Sequence, residues 1–370
     1  MKITSVKTHH VRHRLPESIG VSTLFFSLRE SLLVSISSDE GLIGWGETVP
    51  LAGVRGLIDE QLGPLLVGQN PLDHRRLWRQ MWGPNFGNGM AVGAVDIALD
   101  DLRGKAMNLS IAELYGGRLR ERVPAYASGM NYKEGHGPKE QYPEEALALV
   151  ARGFHAMKMR IGALPIKHDL AAVAAVREAV GPDVKLMADA NGAYTISTAI
   201  QVGKELERLG LYWFEEPLPQ AHYAGYEVLR DKLRIALAAG EILDSRGSAK
   251  ELIARRGIDI IQPDASLCGG INEALFIAEI AQLWNVRCMP HCWGSAITVA
   301  ATLQLLSLLP DPTWALETET PMLELDVNEN PLRDDLLRNP IHFHNGTVDV
   351  PTGPGLGIEV DEEVVKRYEF

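Results

Sequence analysis

Cysteine is scarce in this chain: Cys268, Cys288 and Cys292 are the three among 370 residues. So few, and odd in number, they do not make a disulfide framework and instead predict a reducing compartment, the cytoplasm. Dense Lys/Arg runs are also missing, and the formal net charge is −12, which argues against a nucleic-acid partner. No stretch approaches the roughly 20 consecutive apolar residues that cross a bilayer. The opening Met1-Lys2-Ile3-Thr4 carries no apolar signal segment, so no membrane contact is expected. What the chain does have is apolar mass, 46% hydrophobic residues, enough for two domains or one barrel with a cap.

From about residue 124 to 320, short apolar runs alternate with helical patterns. The runs are Ala125 to Ala127, Ala156 to Met159, Leu186 to Ala188, Leu211 to Phe214, Ile235 to Ala239, Ile258 to Ile261, Val286 to Met289 and a last one near Trp314 to Leu316. Eight is the number a closed (β/α)8 barrel requires. Between them the pattern predicts helices: Pro143 to Ala151 with proline in its first turn, Leu170 to Val180 stopped by Gly181-Pro182, and Asn272 to Trp284 after Gly269-Gly270. No low-complexity linker interrupts the alternation, so the sheet should be parallel with external helices.

The first 120 residues follow a different rhythm. Ile3 to Val11, Leu32 to Ser37 and Leu42 to Glu47 alternate as antiparallel strands, with an Asp39-Glu40-Gly41 turn between the last two. Helical patterns follow, through Asp96 to Lys105. The predicted class is α/β: a TIM-like barrel over 121–340, an α+β capping domain over 1–120, and a tail over 341–370 that packs back on the cap. Pro351, Gly353, Pro354, Gly355 and Gly357 punctuate that tail.

Three acids end three successive apolar runs at one spacing: Asp189, Glu215 and Glu241, with 215 − 189 = 26 and 241 − 215 = 26. Twenty-six residues is one strand-plus-helix unit, so parallel strands bring all three carboxylates to one rim. Converging anions repel unless a cation lies among them, and an all-oxygen set suits a hard ion such as Mg²⁺. Helix capping by each acid is the alternative, but capping requires neither equal spacing nor an apolar strand before each acid.

The C-terminal ends of the strands, where TIM-barrel sites lie, read Lys158 and Arg160, Asp189 and Asn191, Glu215, Glu241, Asp264 and His291. Asp264 and His291 end adjacent strands. The carboxylate can accept an imidazole N–H, fix the tautomer and make the other nitrogen more basic. Alone, such a histidine is more often a satisfied core residue; the aspartate and the acid triad reverse that. Lys158 and Arg160 are two apart on one strand and share a face. Facing inward, they would hold a substrate carboxylate; past the strand end they would be surface residues, and Gly162 keeps that alternative open.

Lys158-x-Arg160, Asp189-x-Asn191, Glu215-Glu216-Pro217, Gly240-Glu241, Pro263-Asp264 and Pro290-His291 together resemble the enolase superfamily, specifically its mandelate racemase branch. Gly44-Trp45-Gly46-Glu47 and Asp96-Ile97-Ala98-Leu99 match its capping domain, and Gly353-Pro354-Gly355-Leu356-Gly357 its tail. Gly153-Phe154-His155 and Asn330-Pro331-Leu332-Arg333 look most like acid-sugar dehydratases and galactarolactone cycloisomerases.

The resemblance implies a shared first step: Mg²⁺ binds the substrate carboxylate, a base removes the α-proton and the metal stabilises the enediolate. It makes Asp189, Glu215 and Glu241 the metal ligands, Asp264 and His291 the base dyad, and Lys158 the group that polarises the carboxylate. A glutamate on the eighth strand should bond the enediolate; Glu317, Glu319 and Glu324 compete, with Glu324 preferred. Arg160 departs from the family's Lys-x-Lys. Guanidinium is a poor proton acceptor, so one base is lost and a reaction that His291 can run alone is favoured.

Substrate choice falls to capping loops at about 15–29 and 49–55. There Arg29 and Arg55 are candidates for a distal carboxylate, with Asn191 and Glu319 as further substrate contacts. The expected activity is Mg²⁺-dependent dehydration of an acid sugar. Lactone-opening cycloisomerisation and racemisation are the alternatives, and a catalytically silent carboxylate-binding barrel is the non-enzymatic one. The expected partners are a small-molecule carboxylate and further copies of the chain.

Overall fold

The computed structural model describes residues 1–83 and 87–370. Three strands open the chain, β1 (Ile3–Gly20), β2 (Phe25–Ser38) and β3 (Ile43–Thr48), as an antiparallel meander. The expected Asp39-Glu40-Gly41 turn joins β2 to β3, with Gly41 left-handed at φ 78. The first loop expected to carry specificity is not a loop. β1 runs to Gly20 and β2 starts at Phe25, so only residues 21–24 turn. A register shift between Arg14 and Ile19 breaks the alternation that would have revealed the strand.

The helix Gly89–Met107 packs on this sheet. Asn88 caps it by accepting from Ala91 N–H at 2.9 Å. It sits so close that a Cβ on Gly44 would lie 2.1 Å from the Ala98 carbonyl oxygen, and one on Gly46 1.9 Å from that of Ala94. Beneath it His74 and Asp96 form a 2.6 Å hydrogen bond, with Asp100 3.5 Å from the same nitrogen and Arg103 and Tyr115 on Asp100. These acids are buried. The imidazole and the guanidinium balance their charge.

The barrel strands are β4 (Arg122–Ser128), β6 (Ala156–Arg160), β7 (Lys185–Asp189), β8 (Trp213–Glu215), β9 (Ala236–Ala239), β10 (Ile260–Ile261), β11 (Arg287–Cys288) and β12 (Leu323–Asp326). Between β4 and β6 a short strand, β5 (Tyr132–Lys133), joins the cap sheet beside β1. The barrel ladders are parallel from β11 round to β4, and β12 pairs with the other side of β4, Leu323 opposite Ala125. Six strands each give one buried apolar side chain to the lower interior, Tyr126, Ala156, Met187, Trp213, Ala238 and Ile260, joined by Met289 just after β11 and Met322 just before β12. The barrel is therefore a plugged core with one usable mouth.

The eighth strand lies at Leu323–Asp326, not near Trp314 to Leu316, whose two large side chains are fully exposed on a loop. Glu324 and Asp326 break the apolar signal of the true strand. The helix expected to open at Pro143 starts at Pro138, which takes the first-turn position, and Pro143 lies within it.

The tail forms a hairpin, β13 (Phe343–His344) and β14 (Thr347–Asp349), turned by left-handed Asn345 and Gly346. β14 pairs with β4. The chain then returns to the cap: Leu356 N–H donates to Asp101 at 2.8 Å and Glu369 bridges Val11. Asp101 also accepts from Trp45 N–H at 2.9 Å and from Lys105 at 2.7 Å, so one buried carboxylate ties tail, sheet and helix together.

Candidate active site

Parallel register sets Arg160 opposite Asp189 and Asp189 opposite Glu215. Glu241 follows β9 after Gly240, whose φ of 123 lets the chain turn into the mouth. Asp189, Glu215 and Glu241 bring ligand oxygens within 4.8 Å of one another. Burial pushes Glu215 up to about 7, against the pull of Lys158, and also raises Glu241. Excess negative charge in an all-oxygen set fits a divalent cation.

Lys158 is fully buried between Glu215, Glu324 at 2.8 Å and Asp189 at 3.7 Å. Arg160 pairs with Asp189 and donates through Nε to Asn131 at 3.3 Å. Burial opposes both charges, yet the surrounding acids more than offset it and raise both pKa values. Trp213 Nε1 donates to the second oxygen of Glu215 at 2.8 Å.

His291 faces this group from the other side. Its Nδ1 is 2.8 Å from Asp264, and its Nε2 is 3.6 Å from Glu241. The other Asp264 oxygen accepts from Ser266 N–H at 2.7 Å and Ser266 Oγ at 2.6 Å, which fixes the carboxylate. Burial opposes charge on the ring, but Glu241, Glu324 and Asp264 outweigh it and push His291 up to about 10.

Glu324 is the eighth-strand glutamate that points inward, next to Lys158, and its Oε2 lies 3.4 Å from Cys292 N–H. Burial alone would raise it; Lys158, His291 and Arg160 hold it well below the usual carboxylate range. Glu317 lies on the exposed loop. Glu319 lies at the opposite rim, bonded by Tyr212 at 2.6 Å, Arg287 at 2.6 Å and Lys185 at 3.4 Å, residues that begin or precede their strands. It precedes the true β12, so it cannot reach the mouth.

A cavity of about 580 Å³ opens above the acids, lined by Arg160, Asn191, Glu241, Asp264 and His291 below and by Val21, Leu24, Phe26, Ile242 and Trp293 above. Arg29 is in its wall but already engaged. It lies 3.0 Å from Asp326, donates to the Glu329 carbonyl at 3.0 Å, and has its guanidinium 4.7 Å from the Trp293 ring centre. Arg55 falls outside: the helix Ala52–Leu57 turns it toward Asp59, 3.5 Å away and largely in solvent. Asn191 borders the cavity with its side chain spent on Ser22 and Asp189.

Glu47 was visible only as part of a family motif. It is buried under the cavity and accepts from Ser31, Ser295 N–H at 2.7 Å, Ser295 Oγ at 2.6 Å and Thr298 N–H at 2.9 Å. It thereby caps the helix Ala296–Leu308 from the capping sheet and fastens cap to barrel. Its signal, a lone glutamate ending an apolar strand, was in the sequence; its barrel partners Ser295 and Thr298, 248 and 251 residues away, were not.

The family description "Mandelate racemase / muconate lactonizing enzyme, N-terminal domain" matches residues 2–116, and "Enolase C-terminal domain-like" matches residues 141–364. A D-galactarolactone cycloisomerase from Agrobacterium fabrum is 37% identical over 377 residues, covering 100% of this chain and 99% of the relative. An arabinonate dehydratase from Saccharolobus solfataricus is 32% identical over 362 residues, covering 95% and 94%. The crystal structure of a 3,6-anhydro-D-galactonate cycloisomerase from Zobellia galactanivorans superposes with a TM-score of 0.89 at 34% identity, covering 100% of both chains. That of a racemase from Streptomyces coelicolor A3(2) with bound magnesium has a TM-score of 0.88 at 27% identity, again over 100% of both. With the barrel, the cap and the acid triad in the same arrangement that the motifs implied, the chain belongs to the mandelate racemase / muconate lactonizing enzyme family of the enolase superfamily.

Proposed function

We propose that the chain is a magnesium-dependent lyase that removes the α-proton of a small hydroxy-carboxylate and expels its β-hydroxyl, an acid-sugar dehydratase. The observation that carries this reading is the asymmetry of the basic groups. On one side of the acids stand Arg160, whose guanidinium is a poor proton acceptor, and Lys158, buried against Glu215, Glu324 and Asp189. On the other stands His291, oriented by Asp264. A racemase needs a proton acceptor on both faces; elimination needs one.

Asp189, Glu215 and Glu241 would hold Mg²⁺, which supplies positive charge against the substrate carboxylate as negative charge builds there. Lys158 stands by to bond the same developing charge. Asp264 on Nδ1 leaves Nε2 as the nitrogen that takes the α-proton. The Nε2 pairing with Glu241 must break first, because Glu241 is the largest of the charges that keep the ring protonated. The imidazolium then returns that proton to the departing hydroxide, so the C–H and C–O bonds break, a C=C bond forms and water leaves.

Cycloisomerisation of a sugar-acid lactone is the second reading. It shares the first step, and the apolar upper wall of the cavity, with Leu24, Phe26 and Trp293, favours a compact ring over an extended polyol. A panel of acid sugars and their lactones, incubated with MgCl2 in D2O and followed by mass spectrometry, separates the two: dehydration loses the mass of water, cycloisomerisation keeps it. His291→Asn should lose activity by several orders of magnitude and keep Mg²⁺ affinity. Substantial turnover in that variant would remove His291 from its role. We also read residues 1–120, 121–340 and 341–370 as cap, barrel and returning tail, supported by the tail's contacts with Val11 and Asp101. The three free thiols support a reducing cytoplasmic setting, and we read the assembly as a homo-oligomer.

A further inference from the structure

The tip of the β1–β2 hairpin roofs the cavity, and one of its residues reaches the metal-facing acids. Residues 21–24 turn back on themselves, Val21 N–H donating to the Leu24 carbonyl at 3.0 Å. Leu24 and Phe25 are exposed on this turn, whereas Ser22 is buried. Ser22 N–H donates to Asn191 Oδ1 at 3.3 Å, and its hydroxyl lies 3.0 Å from that oxygen and 2.5 Å from the Ile161 carbonyl.

Asn191 is left-handed, at φ 42, and turns both its donors onto Asp189. Its backbone N–H meets Oδ1 at 2.8 Å and its Nδ2 meets Oδ2 at 3.2 Å. The amide is thus held from two sides. Its oxygen accepts from the tip while its NH2 donates to the acid, and only one orientation of the amide satisfies both. If the tip lifts, Asn191 loses the partner that fixes that orientation.

A second path runs in parallel. Asp189 Oδ2 also receives Arg160, whose Nε donates to Asn131. Asn131 directly precedes β5, which is laddered to the end of β1, Tyr132 opposite Gly20 and Lys133 opposite Ile19. Two of the groups on Asp189, Asn191 and Arg160, therefore reach the hairpin through Ser22 and through Asn131.

We propose that Ser22 and Asn191 are positioning residues that couple the seating of the hairpin tip to the orientation of the Asp189 carboxylate, so that cation binding and tip closure favour one another. The coupling rests on Asp189 being a metal ligand. It is reciprocal: whatever factor the seated tip adds to cation affinity, the bound cation adds to the seating of the tip.

The test titrates MgCl2 by calorimetry into the wild-type protein, Ser22→Ala, Asn191→Ala, Asn191→Asp and Asp189→Asn, and follows amide hydrogen exchange at residues 18–26 with and without saturating MgCl2. Mg²⁺ should slow exchange at the wild-type tip about three- to tenfold, the range of one hydrogen bond. Ser22→Ala and Asn191→Ala should bind Mg²⁺ about three- to tenfold more weakly and lose the protection. Asn191→Asp, which sets a carboxylate against Asp189, should lose the protection too. Wild-type affinity in Ser22→Ala, or a wild-type tip whose exchange ignores bound Mg²⁺, overturns the coupling and leaves the metal site standing. No Mg²⁺ uptake by the wild-type protein, or undiminished uptake by Asp189→Asn, overturns the ligand assignment and the coupling with it.

Discussion

Lys158→Met keeps most of the side-chain volume and deletes the charge. Lys158 is wholly buried, and without it Glu215, Glu324 and Asp189 retain only Arg160 and His291 as cationic neighbours. Removing one partner of a buried ion pair costs about 3–5 kcal/mol, because a buried charge is left uncompensated. Proton uptake relieves part of that cost: burial already holds Glu215 near 7, and each pKa unit is worth about 1.4 kcal/mol. The metal-free variant should therefore be about 3 kcal/mol less stable at mildly alkaline pH and less affected in mild acid. At about 2.1 cal/mol/K of unfolding entropy per residue, the 370 residues make that a fall of roughly 4 °C in the midpoint. Magnesium at a hundredfold excess over its Kd stabilises a binding protein by about 2.7 kcal/mol. In the variant its increment should be larger at the same concentration, since no ammonium then competes for the acids. Calorimetric melts with and without MgCl2, at two pH values, measure both effects. A metal-free variant that melts with the wild type, or equal magnesium increments in the two proteins, would refute the charge balance described for the site.

Arg160→Lys should keep substrate binding and admit slow α-deuterium exchange into the C2 epimer that the wild type leaves untouched; NMR of recovered substrate reads it. A wild type that exchanges both epimers at similar rates would replace elimination with racemisation. In the cap, burial raises Asp96 to about 6, and Asp100 and Asp96 raise His74 against its own burial. Each folded pKa exceeds its unfolded value. Each contribution is therefore full below the unfolded pKa and lost as pH rises through the folded one. Melting temperature should fall between about pH 4 and 6 as Asp96 loses its contribution, and again above about pH 6.5 as His74 does, and His74→Gln should melt lower throughout but with a flatter alkaline limb; an unchanged slope would exclude the pair. Gly46→Ala sets a methyl 1.9 Å from the Ala94 carbonyl oxygen, a backbone clash that should cost about 3 kcal/mol or more, read by urea unfolding; a loss under about 1 kcal/mol would mean that the helix yields.

Asp189, Glu215 and Glu241 were legible because each ends an apolar strand at a constant interval, and a barrel converts interval into convergence. Glu324 was ambiguous because its own charge, with that of Asp326, erased the apolar signal of β12, while the exposed Trp314 and Leu316 supplied a false one. Glu319 looked equivalent only as long as the strand was misplaced. The hairpin arm was lost where Pro16, Glu17 and Ser18 interrupt β1 at its register shift. Ser22 and Asn191 are 169 residues apart, and no local pattern announces such a contact.

The returning tail gives synthesis a direction problem. The capping sheet is made before the barrel, yet Asp101 waits for Leu356, and the outer edge of β1 waits for Glu369 and Phe370, whose N–H donates to the His10 carbonyl at 2.8 Å. A unit made before the barrel is closed by residues made after it. Until the tail emerges, Asp101 lacks one of its donors and β1 an edge contact, a state open to chaperones and to pairing with other nascent chains. A ribosome stalled after the barrel but before the tail should carry a cap that exchanges its amide hydrogens faster than one stalled after the tail has emerged, and emergence of the tail should close it in a single late step.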